Sequence, residues 1–296
     1  MPELPEVETV KNAMAEAALG ARLTSIWTSG QKMRWPIPAD IEAALTGETI
    51  IGMRRRGKYI IMETARDHGA QKNENQGHHG TSQPHHAMII HLGMSGSVRI
   101  YQGGIKDAPK KHDHLMMTVD HQGEVKTMVL NDPRRFGGIQ LTPYGEDQNH
   151  ALIRHMGIEP LGNEMSGAFM AAAFKGKTAP IKSALLDQRI IAGIGNIYAS
   201  EALFLAQISP KRQAKNVSKV KLDRLNEAIR TVLTKAIAAG GTSLRDHVQP
   251  GGEIGYFVQQ LNVYGKEGEA CPQCQSAIKM IRQTGRASFY CSACQR

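Results

Sequence analysis

The stretch SALLDQRIIAGIGNIYASEALFLA, residues 183–206, indicates how the second half of the chain folds. Apolar residues recur at helical spacing on both sides of the turn at residues 193–196, where two glycines interrupt the pattern. A longer stretch, residues 220–239, carries apolar side chains along one face and ends at a glycine pair. These patterns predict a helical domain over residues 151–241.

The first half of the chain has a different pattern. Residues 21–141 contain short apolar and β-branched runs separated by Gly, Pro, Asn and Asp, and an amphipathic helix at residues 7–20 precedes them. We predict an N-terminal β-sandwich of two layers with a leading helix, over residues 1–143. The polar stretch 66–86, which holds five histidines, is predicted to be a disordered surface loop without an organised metal site.

Two C-x2-C pairs, with 16 residues between them, lie at the end of the chain. Each pair presents two thiolates from one tight turn, which suits one structural zinc ion. Two disulfides are the alternative, and a reducing cytosol disfavours them. We predict a zinc finger over residues 265–296, with four ligands: Cys271, Cys274, Cys291 and Cys294. A module of this size does not fold without its metal, so the zinc is structural and not catalytic.

Positive charge is concentrated in the last part of the chain. The net charge is +9, and residues 211–296 hold 14 Lys and Arg against 6 Asp and Glu. Such a balance indicates a polyanionic partner, although a merely soluble basic surface is the alternative. No apolar run approaches the ~20 residues of a membrane span, and no signal peptide is recognised. We therefore expect a cytoplasmic protein that does not bind membranes.

The N-terminal sequence MPELPEVETV, residues 1–10, permits two interpretations. Proline and acidic residues are typical of a helix start. Alternatively, removal of Met1 exposes Pro2 as a free secondary amine beside Glu3 and Glu6. An α-amine has a reference pKa near ~8, so part of it is unprotonated and nucleophilic at neutral pH. The residues alone leave both interpretations open.

Seven features in order resemble the bacterial formamidopyrimidine-DNA glycosylases. They are PELPEVET, RRRGKY, HLGMSG, KHDH, NDPRRFGG, AGIGNIYASE and the four-cysteine module, and they extend over almost the whole chain. The resemblance implies an α+β multidomain fold: a β-sandwich with a leading helix, a helix–two-turn–helix DNA-binding domain and a zinc-finger hairpin. It also implies a lesion-capping loop and connection at residues 242–264.

The resemblance implies a bifunctional DNA glycosylase/AP lyase of base excision repair. Such an enzyme removes 8-oxoguanine and formamidopyrimidines from duplex DNA and cleaves abasic sites by β,δ-elimination. By the same resemblance Pro2 is the nucleophile, Glu3 the general acid and Glu6 a supporting residue. Lys58 assists the first elimination, and Arg286 grips phosphates and assists the second. The implied partner is double-stranded DNA with oxidised purines or abasic sites, bound by a monomer associated with the nucleoid.

The resemblance also implies DNA contacts and a set of residues that fill the void of a flipped base. Extruding a base costs a few kcal/mol, and a flexible Met, a wedging Phe and a hydrogen-bonding Arg can fill its place. The void-filling residues are Met94, Arg134 and Phe136. The DNA contacts are His91, His112, Arg134, Lys177, Lys182, Asn196 and Tyr264. Asn196 is expected at a helix N-terminus whose exposed amides grip a phosphate. On spacing alone, His112 and His114 could instead bind a metal ion.

Two other functions stay open. A sister group of glycosylases acts on oxidised pyrimidines, but its members typically start with a PEGPE-like string and lack the Met, Arg and Phe set. A non-catalytic protein that senses damaged DNA would keep Asn196, Arg286 and the zinc, with no need for Pro2 or Glu3.

Overall fold

The computed structural model describes residues 2–66, 83–104, 108–242 and 257–296. This part of the chain forms two compact units. The first contains Pro2 and the described residues from Glu6 to Arg154. The second contains Glu3–Pro5 together with residues 155–242 and 257–296. The domain limits given above stay a prediction.

The first unit is built on eight antiparallel strands. Their bounds are β1 Arg22–Thr28, β2 Thr49–Arg56, β3 Tyr59–Arg66, β4 Gln83–His91, β5 Ser97–Gln102, β6 Asp113–His121, β7 Glu124–Asn131 and β8 Gly138–Pro143. The order across the hydrogen-bonded ladder is β5-β7-β6-β1-β2-β3-β4-β8. In the described chain, β1 and β2 are joined through the single pair Arg22 and Thr49. The ladder therefore divides there into two four-stranded layers.

One apolar core connects these layers. Alternate residues of each strand point to the same face, so every second side chain enters the core. Helix α1, Leu4–Ala18, covers this core, and the short helix α2, Ile41–Leu45, adds to it. The buried residues include Val7, Val10, Met14, Leu23, Ile26, Ile60, Met62, Met88, Ile90, Leu115, Met117, Met128 and Leu130. The predicted β-sandwich with a leading helix is confirmed.

The predicted loop at residues 66–86 is too long at both ends. Arg66 still belongs to β3 and pairs with Gln83, while Thr64 pairs with His86 of β4. Ladder hydrogen bonds satisfy the backbone there, and this outweighs the polar composition. Residues 67–82, which include three of the five histidines, lie outside the described residues.

The second unit contains four α-helices and a hairpin among its described residues. Their bounds are α3 Gly167–Phe174, α4 Ile181–Leu185, α5 Asn196–Leu205, α6 Lys219–Ala238, β9 Lys279–Gln283 and β10 Arg286–Tyr290. Helix α6 begins after Ser218, whose side chain accepts a hydrogen bond from the backbone of Lys221. Over the described ranges, no helix is both long and apolar enough to cross a lipid bilayer.

The helical pattern before the AGIGN turn extends further than the helix itself. Helix α4 ends at Leu185, and residues 186–195 form turns and irregular chain with one β-bridge, between Ile191 and Ile158. The Gln188 side chain explains this difference. Its amide nitrogen donates to the carbonyls of Leu186 and Ile194, at 3.1 and 2.9 Å, and its oxygen accepts from the Gly193 N–H at 2.8 Å. A side chain thus satisfies backbone groups that would otherwise favour continued helix.

Candidate functional site

A carboxylate from the start of the chain caps the N-terminus of α5. Glu3 accepts hydrogen bonds from the backbone N–H of Ile197, at 3.0 Å, and of Tyr198, at 3.4 Å. The side chain is buried, with the whole residue 2% exposed. Two donors and the positive end of the helix dipole therefore stabilise its negative charge. We expected exposed amides at this terminus to grip a phosphate, and two of them are occupied by Glu3 instead.

The two glycines of the AGIGN turn make room for this approach. A Cβ on Gly195 would lie 2.1 Å from the Glu3 Cδ, and a Cβ on Gly193 would lie 2.8 Å from the Leu4 Cδ1. Gly193 also has a φ of +84°, a conformation that side chains disfavour. The Leu4 N–H donates to the Gly193 carbonyl at 3.1 Å. Close packing of Glu3 and Leu4 against this turn therefore requires glycine at both positions.

Lys182 of α4 is a buried amine that holds the hairpin. Its Nζ donates to the Ala287 carbonyl at 2.8 Å and to the Ser288 Oγ at 2.9 Å. Burial lowers the pKa of Lys182 to about 8, while the charge of Glu3 opposes this shift and that of Arg286 adds to it. The ammonium is thus engaged inside the second unit, with the residue 1% exposed. Its contact with DNA stays a prediction.

The low pKa of Lys182 predicts that the free energy of unfolding rises between pH 8 and 10.5. Below pH 8 the folded state bears the full cost of a buried ammonium. Above it the folded amine is neutral, while the unfolded amine keeps its proton up to its ordinary pKa. The gain is up to about 3 kcal/mol. Denaturant unfolding across this range should show the slope in wild type and in Lys177→Met, but not in Lys182→Met. Equal slopes in all three proteins would refute the shift.

A second buried carboxylate, Glu201 of α5, fixes the segment that carries Tyr264. It accepts hydrogen bonds from the backbone N–H groups of residues 262–264, at 2.8 to 2.9 Å. Burial raises the pKa of Tyr264, a hydrogen bond with Asn196 opposes this shift, and the charge of Glu3 adds to it. No local pattern in the sequence marks Glu201, because its donors lie about 60 residues away.

Arg286 stands at the tip of the hairpin. Thr284 and Gly285 have φ values of +47° and +76°, as in a type I′ turn, and Arg286 pairs with Gln283 across it. Its side chain is exposed. The Asn196 Nδ2 donates to the Ala287 carbonyl at 3.0 Å, so α5 and β10 are joined next to this arginine.

Lys177 follows α3 and is partly exposed. A hydrogen bond from Arg189 holds the pKa of Asp187 below its ordinary value, and the charge of Lys177 adds to this effect. Lys177 therefore lies near an acidic group of its own unit. Its contact with DNA stays a prediction.

The four cysteines form a cluster that can hold a metal ion. Their sulfurs lie within 4.8 Å of one another, with Cys274–Cys291 at 3.4 Å and Cys271–Cys294 at 3.9 Å. Zn–S bonds of about 2.3 Å would place sulfurs about 3.8 Å apart. All four thiols are free, which contradicts the disulfide alternative. A hydrogen bond with Cys274, together with burial, raises the pKa of Cys294 to about 12. All four thiols can therefore ionise together only if a cation compensates their negative charge.

In the first unit, His91 ends β4 as a neutral ring. The Gly93 N–H donates to the His91 Nδ1 at 3.1 Å, so the neutral ring keeps its proton on Nε2. Burial, helped by the charges of Arg34 and Lys58, lowers the pKa of His91 to about 4. His91 is therefore a neutral hydrogen-bond donor at neutral pH. Its contact with a phosphate stays a prediction.

Asp132 joins the HLGMSG and NDPRRFGG loops. Its buried carboxylate accepts from the Ser95 Oγ at 2.6 Å, the Gly137 N–H at 2.8 Å and the Arg134 N–H at 3.3 Å. A Cβ on Gly93 would lie 2.2 Å from the Gly137 nitrogen, so the loops touch through their backbones. Asp132 is not among the residues predicted from the sequence. Its position between a strand end and a proline was the available signal.

These loops carry the three predicted void-filling residues. Phe136 is 46% exposed, and the Arg134 guanidinium carbon lies 5.0 Å from the centre of its ring. Arg134 is also exposed, and Met94 is partly exposed. An exposed aromatic ring stacked on a cation is typical of a surface that binds a partner. Insertion into DNA stays a prediction.

Lys58 lies with Gly57 in the turn between β2 and β3 and is partly exposed. Two arginines just before it form ion pairs: Arg54 with Glu63 at 2.6 Å, and Arg55 with Glu8 at 2.7 Å. Arg54 and Arg55 are therefore held by carboxylates and are not freely solvated.

His112 and His114 do not form a metal cluster within the described chain. His114 is buried; its Nδ1 lies 3.0 Å from the Ser29 Oγ and its Nε2 lies 3.1 Å from the Asp132 carbonyl. Both ring nitrogens are thus engaged. His112 is partly exposed, and its DNA contact stays a prediction.

At the N-terminus, the prediction that proline and acidic residues start a helix is correct from Leu4 onward. Helix α1 begins at Leu4 and has Glu6, which is buried, in its first turn. Glu3, however, serves α5 instead of its own helix. Pro2 is buried in the chain that begins with Met1.

Comparisons with known proteins identify the family. The model of the formamidopyrimidine-DNA glycosylase N-terminal domain matches residues 1–139, and that of the formamidopyrimidine-DNA glycosylase H2TH domain matches residues 156–248. A formamidopyrimidine-DNA glycosylase of Jannaschia sp. (strain CCS1) is 44% identical over the full length of both chains. The chain belongs to the formamidopyrimidine-DNA glycosylase family. The enzyme of that name from Rhizorhabdus wittichii is also 44% identical over all of both chains.

Solved members of the formamidopyrimidine-DNA glycosylase family have the same fold. A mutant of Lactococcus lactis Fpg in complex with Fapy-dG containing DNA is 31% identical and superposes with a TM-score of 0.84 over all of both chains. The same protein with abasic site DNA gives a TM-score of 0.83 over 99% of each chain, at 31% identity. MutM bound to carbocyclic 8-oxo-G containing DNA gives 0.83 at 31% identity, over all of both chains. The predicted family and fold class are thereby confirmed.

Two groups of residues predicted from the family resemblance lie together, each within one unit. In the first unit, the charge of Lys58 reaches His91, and one carboxylate, Asp132, joins the loops that carry Met94, Arg134 and Phe136. In the second, contacts or charge effects connect Glu3, Lys182, Asn196, Tyr264 and Arg286.

Proposed function

We propose that this chain is a bifunctional DNA glycosylase/AP lyase of base excision repair that removes oxidised purines from duplex DNA. Family membership and the lesions bound by its structural neighbours support this reaction. One observation carries the proposal. Glu3, which follows Pro2 directly, is a buried carboxylate at the N-terminus of α5, where the charges of Glu3 and Arg286 both act on Lys182.

The nucleophile is the nitrogen of Pro2. Removal of Met1 is a prerequisite, because only then is the Pro2 nitrogen a free secondary amine. The amine attacks C1′ of the damaged nucleotide, and the base leaves with the electrons of the glycosidic bond. The attached nitrogen then loses its proton, and its lone pair forms a C=N bond as the C1′–O4′ bond breaks and O4′ takes up a proton. The resulting iminium acidifies the C2′ proton. Loss of that proton expels the 3′ phosphate, and a second elimination expels the 5′ phosphate.

Three side chains assist these steps. Glu3 is held as a carboxylate, so it first takes up the proton that the Pro2 nitrogen loses on attack. It then supplies this proton, as general acid, to the deoxyribose ring oxygen or to the departing base, and later shuttles protons during elimination. Lys58 contacts phosphate and promotes the first elimination. Arg286, exposed at the hairpin tip, can span two phosphates with its planar fork and promotes the second elimination. Glu6 supports the site from the first turn of α1.

Replacing Gly195 with alanine is expected to slow base excision about 100-fold, because an error of about 1 Å in a catalytic group has that effect. The new Cβ would overlap the Glu3 carboxyl group, while the backbone at Gly195 has an ordinary negative φ. Single-turnover excision of 8-oxoguanine measures the effect. Gly104→Ala, where a Cβ meets open space, is the matched control and should match wild type. Unchanged excision by a folded Gly195→Ala protein would remove Glu3 from its assigned role.

The remaining predicted residues bind the DNA. Met94, Arg134 and Phe136 fill the void of the flipped base. Phosphate and lesion contacts come from His91, His112, Lys177, Lys182, Asn196 and Tyr264. We expect the protein to act as a monomer on nucleoid DNA in the cytoplasm.

The metal is one structural zinc ion held by Cys271, Cys274, Cys291 and Cys294. The sulfur spacing and the lack of disulfides among them support a tetrahedral thiolate site. Bound there, zinc would hold the fold of the hairpin that carries Arg286.

Borohydride trapping tests the proposed function. Protein whose first residue is verified as Pro2 by mass spectrometry is incubated with three duplexes, containing 8-oxoguanine, an oxidised pyrimidine or no lesion. We expect a covalent adduct and strand cleavage mainly with the 8-oxoguanine duplex. An adduct mainly with the pyrimidine duplex would favour the sister group of glycosylases. Tight binding of damaged DNA without any adduct would favour a non-catalytic damage sensor.

A further inference from the structure

A second cluster of metal-binding side chains lies in the first unit, apart from the residues used above. The Glu48 carboxylate is completely buried. Its Oε1 lies 2.5 Å from the His85 Nδ1 and 3.1 Å from the His86 Nδ1, and its Oε2 also lies 3.1 Å from the His86 Nδ1. One donor atom from each of the three residues lies within 4.8 Å of the others.

A β-bulge explains why two consecutive histidines reach the same carboxylate. Neighbouring side chains on a regular strand point to opposite faces. Here Thr64 of β3 pairs with His86 while Ala65 pairs with Pro84, so His85 is the extra residue of β4. A bulge of this kind re-aims one side chain. Both imidazoles therefore approach Glu48, and their rings touch with centres 3.9 Å apart.

Two imidazoles and one carboxylate are ligands that suit Zn²⁺, Co²⁺ or Ni²⁺. In a tetrahedral zinc site with bonds of about 2.0–2.2 Å, donor atoms lie about 3.4 Å apart. The His86 Nδ1, at 3.1 Å from both Glu48 oxygens, is close to this spacing, and the half-exposed His85 ring, at 2.5 Å, would move outward to admit the ion. We propose that Glu48, His85 and His86 form a divalent transition-metal site, separate from the four cysteines, with a coordination position open to solvent.

The surroundings support this site. The Thr64 Oγ1 donates to the Glu48 Oε2 at 2.6 Å, which fixes the orientation of the carboxylate. The His85 side chain is 44% exposed, so a hydrated ion can reach the cluster. One cation already approaches Glu48: the Arg66 Nη2 lies 3.5 Å from its Oε1. The Arg66 side chain is 49% exposed and can turn into solvent when a metal ion neutralises the carboxylate.

Metal titration of the full-length protein tests the site. The four-cysteine site is first filled with one equivalent of Zn²⁺, and further Zn²⁺ is added in a calorimeter. We expect one additional ion per chain. Co²⁺ as the second equivalent should give visible bands without thiolate-to-metal charge transfer, because its ligands are nitrogen and oxygen. A single ion per chain, or a thiolate band from the second equivalent, would overturn the proposal.

Variants separate this site from incidental binding by other histidines. His85→Ala and His86→Ala should each weaken the second Zn²⁺ at least tenfold, and Thr64→Val should weaken it about tenfold. The matched control replaces His68, His78 and His79 with alanine and should leave the second ion bound. The His85 side chain is 44% exposed, and Thr64 and His86 keep their hydrogen bonds to Glu48, so His85→Ala should stay folded with only a small loss of thermal stability. Loss of the second ion in the control, or its retention in both His85→Ala and His86→Ala, would rule the site out.

Discussion

Protein that retains a residue on the Pro2 nitrogen is expected to trap DNA covalently at least about 1,000-fold less than processed protein. An amide nitrogen is no nucleophile, so the iminium cannot form. Binding of abasic-site DNA should stay within a few-fold of wild type, because phosphate contacts come from other residues. Borohydride trapping measures the first quantity and fluorescence anisotropy the second.

The control for this experiment is wild-type protein whose mass shows that Met1 is absent. A Pro5→Ala variant adds a matched proline change inside α1, and it should trap DNA as wild type does. Efficient trapping by the blocked protein would mean that another amine is the nucleophile, and Lys58 or Lys182 would become the candidate.

Removal of the metal from the four-cysteine site is expected to weaken binding of abasic-site DNA at least 100-fold. Structural zinc contributes about 10–16 kcal/mol to the folding of small modules, so the hairpin would unfold and release Arg286. Unfolding of the hairpin would also remove hydrogen bonds from the helices next to it. Lys182 and Asn196 would lose the Ala287 carbonyl as a partner, and an unpartnered buried ammonium is strongly destabilising.

Chelator-treated wild type and Cys274→Ser should behave alike, and Ser292→Ala, an exposed change between two of the cysteines, should bind DNA normally. Both tryptophans, Trp27 and Trp35, lie in the first unit, so their fluorescence reports its folding. That signal should survive chelation. DNA affinity that is unchanged after verified metal loss would make the module dispensable for binding.

Local patterns in the sequence were sufficient for much of the fold. Three patterns depend only on residues that are close together in the sequence. They are the spacing of the four cysteines, the apolar face of α6 and the alternation of buried and exposed residues along the strands. The pattern failed where a side chain replaced backbone hydrogen bonds, as Gln188 does after α4. It failed again where strand pairing extended β3 and β4 into a polar stretch.

Long-range contacts account for most of the site. Glu3 caps a helix 194 residues away, Glu201 fixes the Tyr264 segment, and Asp132 joins two loops 37 residues apart. Family motifs pointed to Glu3, but no pattern showed how it is held. From composition, His85 and His86 were predicted to lie in a loop without an organised metal site. In the structure they belong to β4, where a bulge turns both side chains toward the buried Glu48. Propensity and periodicity are properties of neighbouring residues, and the partners of a buried charge are known only once distant segments have packed together.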